Sequence, residues 1–317
     1  MITGFLLIDK AKGPTSHDVV QAVRRITGER RVGHTGTLDP FATGLLPICL
    51  GRATRLARFL SASIKTYSAL VRFGFATDTY DATGRRMGLE STVSLDQEAF
   101  APLLASFVGK QGQVPPPFAA KKVQGRRMYQ MARAGIRVEP KPVEVVIRRI
   151  DLLGVDGSRA TIDVEVEAGT YIRSLAHDLG QRLGCGAHLE ELRRTDVGPH
   201  NIERALSLEK LETLNQSGRL EDALMTPADA LSELPWIHLS GEERHKICHG
   251  RRISISVDET SRNLPRLEEG QSVRLMESGG GLVAVGIVTD GLETIHPLVV
   301  LQPGSSNQPA NALINVD

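Results

Sequence analysis

The chain has 317 residues, Lys+Arg 38 against Asp+Glu 37 and a formal net charge of +1, a length that suits about two domains of roughly 150 residues each. Hydrophobic residues at 41% and charged residues at 24% exclude a disordered chain and a coiled coil. Cys49, Cys185 and Cys248 are widely spaced and form no CxxC pair, which excludes a zinc ribbon and argues against a disulfide framework.

Val19, Val20, Val23 and Ile26 recur at helical spacing after Ser16, and Gly28 supplies a stop, so a first helix is predicted there with Arg24 and Arg25 near its end. Residues 33–47, GHTGTLDPFATGLLP, read as a loop, because Gly33, Gly36, Gly44, Pro40 and Pro47 punctuate them. Tyr67, Ala69, Val71 and Phe73 alternate with Ser68, Leu70 and Arg72 and predict a strand. Ser94 and Gln97 form a capping-box pattern before a helix to about Val108, with Pro102 inside it. The clearest strand runs from Thr161 to Ala168, where Ile162, Val164, Val166 and Ala168 alternate with Thr161, Asp163, Glu165 and Glu167. Gly169 and Thr170 then turn the chain into a helix carrying Ile172, Leu175, Ala176, Leu179 and Leu183, stopped by Gly184. The stretch TPADALSELP, 226–235, reads as a linker. Ser240 and Glu243 cap a short helix ending at Gly250, and glycine-broken strands across 272–291 suggest a small β-barrel.

Strands of alternating polarity, mixed with helices but without regular βαβ order, predict an α+β protein with a mainly antiparallel sheet and flanking helices. The expected division is a catalytic-size body over 1–230 with a basic insertion at about 110–145, a small β domain over 235–302, and a flexible tail over 303–317. The neutral total hides a segregation of charge. Residues 10–58 carry nine basic and three acidic side chains, residues 119–149 nine basic and two acidic, and residues 203–243 are acidic. A basic patch can bind phosphate whatever the far side carries, because separations beyond about 10 Å are largely screened. Solvated helix faces explain any one such run equally well.

Asp39 is the single carboxylate of the 33–47 segment, placed either to act as a nucleophile or to cap a turn before Pro40. His34 suits a general base, a metal ligand, a ring packed beside a nucleic-acid base, or a loop histidine bonded to backbone. Tyr171 and Arg173 sit at the corner after the strongest strand. Arg173 cannot lose its proton, so beside Asp39 it would hold that carboxylate ionised and aimed, while Tyr171 would supply a flat wall. Tyr67 is either such a wall or a core aromatic. No Gly-Lys-Ser/Thr ending and no GxGxxG run is present, so a nucleotide cofactor loses support. His238, His245, Cys248 and His249 cluster, but with a single pair at helical spacing they read as surface, and a metal-free mechanism is expected.

Six blocks in order, IDKAKGPTSHDVV, GHTGTLDPFATGLLPICLG, KTYSALVRFGFATDTYDATG, PPPFAAKKVQGRRMYQMARAG, GTYIRSLAHDLG and LGCGAHLEELRRT, resemble the bacterial tRNA pseudouridine-55 synthase family of the TruB type. The resemblance implies the pseudouridine synthase fold followed by a PUA-type RNA-binding domain. It implies that Asp39 is the essential carboxylate, Arg173 its partner, His34 the residue filling the space left by an extruded base, Tyr67 the residue stacked on that base, and Tyr171 and Leu192 further walls of the uridine pocket. Ala11 and Ala119 depart from the family pattern, both outside the pocket set. The implied activity is isomerisation of uridine 55 in the TΨC arm of tRNA, with base flipping and no cofactor. Lys121, Lys122, Arg126 and Arg127 of the basic insertion are then candidate contacts to the stem phosphates. No basic segment precedes the apolar stretch of MITGFLLIDK and no apolar run reaches membrane length, so a cytoplasmic protein without membrane contact and without an obligate protein partner is expected. Competing readings are a non-catalytic tRNA chaperone and the catalytic subunit of an RNA-guided pseudouridylase.

Overall fold

The computed structural model describes residues 2–118, 122–123, 126–127, 141–254 and 267–302. Lys121, most of the basic insertion and the tail from Pro303 lie outside these residues. For Lys122, Arg126 and Arg127 the backbone pairing alone is described, Lys122 opposite Arg127 and Val123 opposite Arg126. The chain divides into two compact units, Met1–Leu224 and Met225–Asp317.

The first unit is built on a nine-stranded sheet. Its main path runs Gly4–Lys10, Thr43–Leu50, Ala187–Val197, Lys65–Phe73, Arg159–Val166, Val143–Asp156, Gly109–Gln113. Two short strands, Val32–His34 and His200–Asn201, pair beside Thr43–Leu50 and Ala187–Val197. Every pairing on the path is antiparallel except that of Thr43–Leu50 with Ala187–Val197, which is parallel. The Arg159–Val166 strand buries Ala160, Ile162, Val164 and Val166 and leaves the alternate residues half-exposed, the period-2 pattern of a sheet with one covered face. The α+β class and the mainly antiparallel sheet therefore hold.

The first helix spans Ser16–Thr27. Thr15 and Asp18 close a capping box at its start, and Gly28, at φ 68°, ends it. Helix Ile172–Arg182 lies against the Ala187–Val197 and Lys65–Phe73 strands and buries Ile172, Leu175, Ala176 and Leu179. These faces join Ile8, Leu46, Ile48, Val71, Phe73 and Leu189 in one core.

Three local readings change. The 33–47 segment is not loop throughout: Val32–His34 and Thr43–Leu50 are strands, and the irregular part is residues 35–42. Thr43–Leu50 is buried from Gly44 onward, so it has no polar alternation to betray it, and Pro47 disguises it further. The second predicted helix spans Gln97–Ala105 and is capped by Asp96, whose side chain accepts from the Ala99 N–H, rather than by Ser94. A carboxylate two residues nearer the helix takes the capping role. The 226–235 stretch is not an open linker. Thr226 caps a short helix Pro227–Ala230, Leu231 is buried, and Arg274 donates to the carbonyls of Ala228, Ser232 and Leu234.

The second unit carries a five-stranded sheet in the order Trp236–His238, Ser272–Met276, Leu282–Thr289, Thr294–Val300, Ile253–Ser254. It curls into a half-barrel of the PUA type around Ile237, Ile247, Val273, Leu275, Val283 and Ile295, with helix Gly241–Cys248 packed on it. Among the described residues, no helix is long and apolar enough to cross a membrane.

Candidate active site

Residues 35–42 form a tight loop whose backbone is fastened from several sides. Ser16 Oγ donates to the Leu38 carbonyl at 3.0 Å and accepts from the Leu38 N–H at 2.8 Å. Lys10 is 1% exposed, and its Nζ donates to the carbonyls of Ala42 at 2.7 Å, Ala11 at 3.0 Å and Pro40 at 3.4 Å. Arg194, also 1% exposed, donates to Leu45 O at 2.7 Å and Gly36 O at 3.1 Å. At Gly44, φ 104°, any Cβ would run into the backbone of Arg194, so the close crossing of these two strands requires glycine. A buried ammonium and a buried guanidinium thus organise the loop through its carbonyls. Burial pulls the Lys10 pKa down to about 8, against the opposing attraction of Asp39.

The Asp39 carboxylate projects from this loop onto Arg173. Arg173 Nε lies 3.0 Å from Oδ2 and Nη2 3.2 Å from Oδ1, a two-point pairing. The other edge of the guanidinium meets Asp81 Oδ2 at 3.3 Å and the carbonyl of Thr79 at 3.2 Å. Asp81 is itself held by Thr79 Oγ1, the Thr83 N–H and Thr83 Oγ1. The side chains of Arg173 and Asp81 are 6% and 5% exposed, whereas Asp39 is 33% exposed. The carboxylate that reaches open space is therefore Asp39. Burial raises its pKa, the Arg173 charge works against that, and the neighbouring Asp81 adds to it.

Asp39 opens onto a cavity of about 130 Å³ lined by Thr37, Leu38, Tyr67, Thr170, Tyr171, Ile172, Arg173 and Leu192. Tyr67 stands opposite Arg194 in the sheet register, and Leu192 lies two residues before Arg194, so all three share a face beside the loop. Breaks in register at Leu189/Glu191 and Arg194/Asp196 bend the strand that carries them. Asp39, Arg173, Tyr67, Tyr171 and Leu192, five residues predicted from sequence, thus meet in one place. His34 does not line this cavity. It ends the strand entering the loop, half-buried, and its Nδ1 accepts from the Gly36 N–H at 3.3 Å, which fixes a neutral ring. Burial, then the charges of Arg194 and His17, lower its pKa.

A larger cavity of about 370 Å³, bordered by Phe107, Gln111, Gln113, Asp178 and Arg182, contains none of the predicted residues. Burial raises Asp178 there to about 6. The smaller cavity is the stronger candidate, because it joins a partly open carboxylate to a fixed cation and two flat aromatic walls. Among the described residues, no three His, Cys, Asp or Glu side chains gather as metal ligands.

Sequence reading missed Lys10, Ser16, Asp81, Arg194 and Gln113. Gln113 is 3% exposed, and its amide accepts from the Tyr171 N–H at 2.8 Å and donates to the Tyr171 carbonyl at 3.0 Å. Asp81 carried a signal, since Thr79 and Thr83 on either side of it are residue types that satisfy a buried carboxylate.

A lone carboxylate and arginine at the mouth of an aromatic pocket, on a mostly antiparallel sheet followed by a PUA-type half-barrel, define the pseudouridine synthase class. Residues 24–172 match the N-terminal domain of the TruB family of pseudouridylate synthases, and residues 173–232 the C-terminal domain of tRNA pseudouridylate synthase B. The chain is 42% identical to the tRNA pseudouridine synthase B of Solibacter usitatus over 94% of this chain and 99% of the relative. It is 43% identical to that of Geobacter sulfurreducens over 78% and 81%. A solved H/ACA ribonucleoprotein bound to a substrate RNA containing 2′-deoxyuridine superposes with a TM-score of 0.72 at 26% identity, covering 95% of this chain and 85% of the other. This chain belongs to the TruB family of pseudouridylate synthases.

Proposed function

We propose that this protein isomerises uridine 55 in the TΨC arm of tRNA to pseudouridine, without a cofactor and without an obligate protein partner. The observation that carries the reading is the Asp39–Arg173 pair opening onto a cavity walled by Tyr67 and Tyr171. The reaction breaks the N1–C1′ bond, rotates the uracil while it is held, and joins C5 to C1′. N1 gains the proton that C5 loses, so atoms balance and nothing is oxidised or reduced. The uracil anion is a tolerable leaving group, so the chemistry asks for one carboxylate and a pocket that keeps the freed base from water.

Asp39 fits that demand whether it attacks C1′, adds to C6 or removes a ribose proton, because Arg173 holds both of its oxygens while a third of the side chain stays open to the cavity. The cavity accepts a nucleotide extruded from its stack. Extrusion costs a few kcal/mol, and stacking on Tyr67 returns about 1–3 kcal/mol. His34, neutral and outside the cavity, suits the place vacated by the base. Lys121, Lys122, Arg126 and Arg127 suit the stem phosphates by their charge. None of the cavity's walls comes from the acidic residues 203–243, which favours approach of a polyanion to Asp39.

Asp39→Ala should abolish pseudouridine formation in a TΨC-arm transcript while leaving RNA binding within a few-fold, read by pseudouridine mapping and a filter-binding curve. Full conversion by this variant would overturn the role of Asp39. Conversion of a bare transcript by the purified chain separates this reading from that of an RNA-guided subunit, which would require partners.

A further inference from the structure

The helix that delivers Arg173 starts without a cap of its own. Its N-cap residue is Tyr171, whose side chain makes no capping bond. Tyrosine has no short oxygen to turn back onto the first amides, and here its ring is committed to the cavity wall. The position of this corner is instead set from 58 residues away in sequence. Gln113, the last residue of the sheet-edge strand Gly109–Gln113, closes a two-point ring on Tyr171, Oε1 taking the N–H at 2.8 Å and Nε2 giving to the carbonyl at 3.0 Å. The neighbouring residues repeat the link. Ser174 Oγ donates to Val114 O at 2.7 Å, and Arg173 Nη2 reaches Phe118 O at 3.4 Å.

We propose that Gln113 is a positioning residue for the reaction, its buried amide fixing the Tyr171 wall and, through the helix start, the angle at which Arg173 meets Asp39. The proposal rests on the isomerase reading above. A single amide that pairs both backbone groups of one residue removes rotation as well as translation, which a lone hydrogen bond does not. No other side chain does this at Tyr171, Ile172 or Arg173 among the described residues. Displacement of a reacting group by about 1 Å can cost about a hundredfold in rate. Gln113 should therefore act on turnover and leave RNA affinity alone.

The test uses the full-length protein with an unmodified tRNA transcript under single-turnover conditions at saturating enzyme. Gln113→Leu removes both bonds and is expected to slow pseudouridine formation by about ten- to a hundredfold, with the transcript's Kd changed less than threefold. Gln113→Glu supplies a readout that packing alone would not move. As a carboxylate it keeps the bond from the Tyr171 N–H but faces the Tyr171 carbonyl without a proton; as a neutral acid it restores donor and acceptor together. Its rate relative to wild type at each pH should rise as pH is lowered from about 8 to about 6, since burial beside a carbonyl raises a carboxyl pKa. A wild-type rate in Gln113→Leu, or a Gln113→Glu ratio flat across that range, would overturn the proposal. If Gln113→Leu does not fold, the Gln113→Glu ratio decides. An inactive wild type would instead count against the isomerase reading.

Discussion

Arg173 and Arg194 are both buried guanidiniums beside the same loop, yet they are neutralised in opposite ways. Arg173 lies between the carboxylates of Asp39 and Asp81, while Arg194 donates to the carbonyls of Leu45 and Gly36. Their charges also act on different groups. Arg173 lowers the pKa of the acids Asp39 and Tyr171, and Arg194 lowers those of the bases Lys10, Lys65 and His34. A cation held by backbone dipoles shapes the chain that passes it and adds to the burial that lowers the pKa of neighbouring bases. A cation held by a carboxylate with one open side favours the charge and fixes the direction of that carboxylate. The loop needs both, one to build it and one to tune what it carries.

The sharpest way to break this contrast is to change each arginine conservatively. Arg173→Lys keeps the charge but has one nitrogen where two carboxylates and two carbonyls now share a planar fork. Turnover should fall by about 10²–10³-fold with RNA affinity within a few-fold, measured by single-turnover rates and a binding curve. Equal losses in both would contradict the pairing role. Arg194→Met should act mainly on stability, since it strands the Gly36 and Leu45 carbonyls in a buried site. Unfolding of the first unit should lose about 2–4 kcal/mol in a denaturant titration, with turnover less affected than in Arg173→Lys. A stable Arg194→Met with a hundredfold slower reaction would mean that both arginines serve the chemistry directly.

The same contrast explains what the sequence could and could not reveal. The Arg159–Val166 strand was legible because one face is buried and the other wet. Thr43–Leu50 was not, because it is buried from Gly44 to its end and bears a proline. Asp39, Arg173, Tyr67, Tyr171 and Leu192 were reached through ordered motif blocks, the first four within a few residues of a glycine-marked turn or a strand end. Lys10 and Arg194 lie in the same blocks, but nothing in the sequence marks them as buried. A lysine or arginine in a sequence reads as surface, and what buries these two is a set of carbonyls from distant residues, visible only after folding. Gln113 is hidden for the same reason, since a strand-end glutamine has no periodicity and its partner Tyr171 is 58 residues on.

The smallest expected effect is also the most discriminating, because it concerns charge without gross loss of structure. Burial raises the Asp39 pKa, so lowering the pH should protonate it, and the rate should fall, at a pH above the value of about 3.9 for an exposed aspartate. Above that limb the carboxylate is ionised and the rate is retained. In a pH profile of kcat/KM, which reports the free enzyme, Arg173→Gln should move the limb upward, because the charge that opposes burial is gone. Arg194 has no comparable influence on Asp39, so Arg194→Met should leave the limb in place. The loss of Arg194 should show instead at His34, whose imidazole pKa should rise once that repulsion is removed, as an NMR titration of the ring protons would record. An upward shift of the acid limb in Arg194→Met, with His34 unmoved, would mean that the loop-building arginine also acts on the carboxylate, and the division of labour between the two would fail.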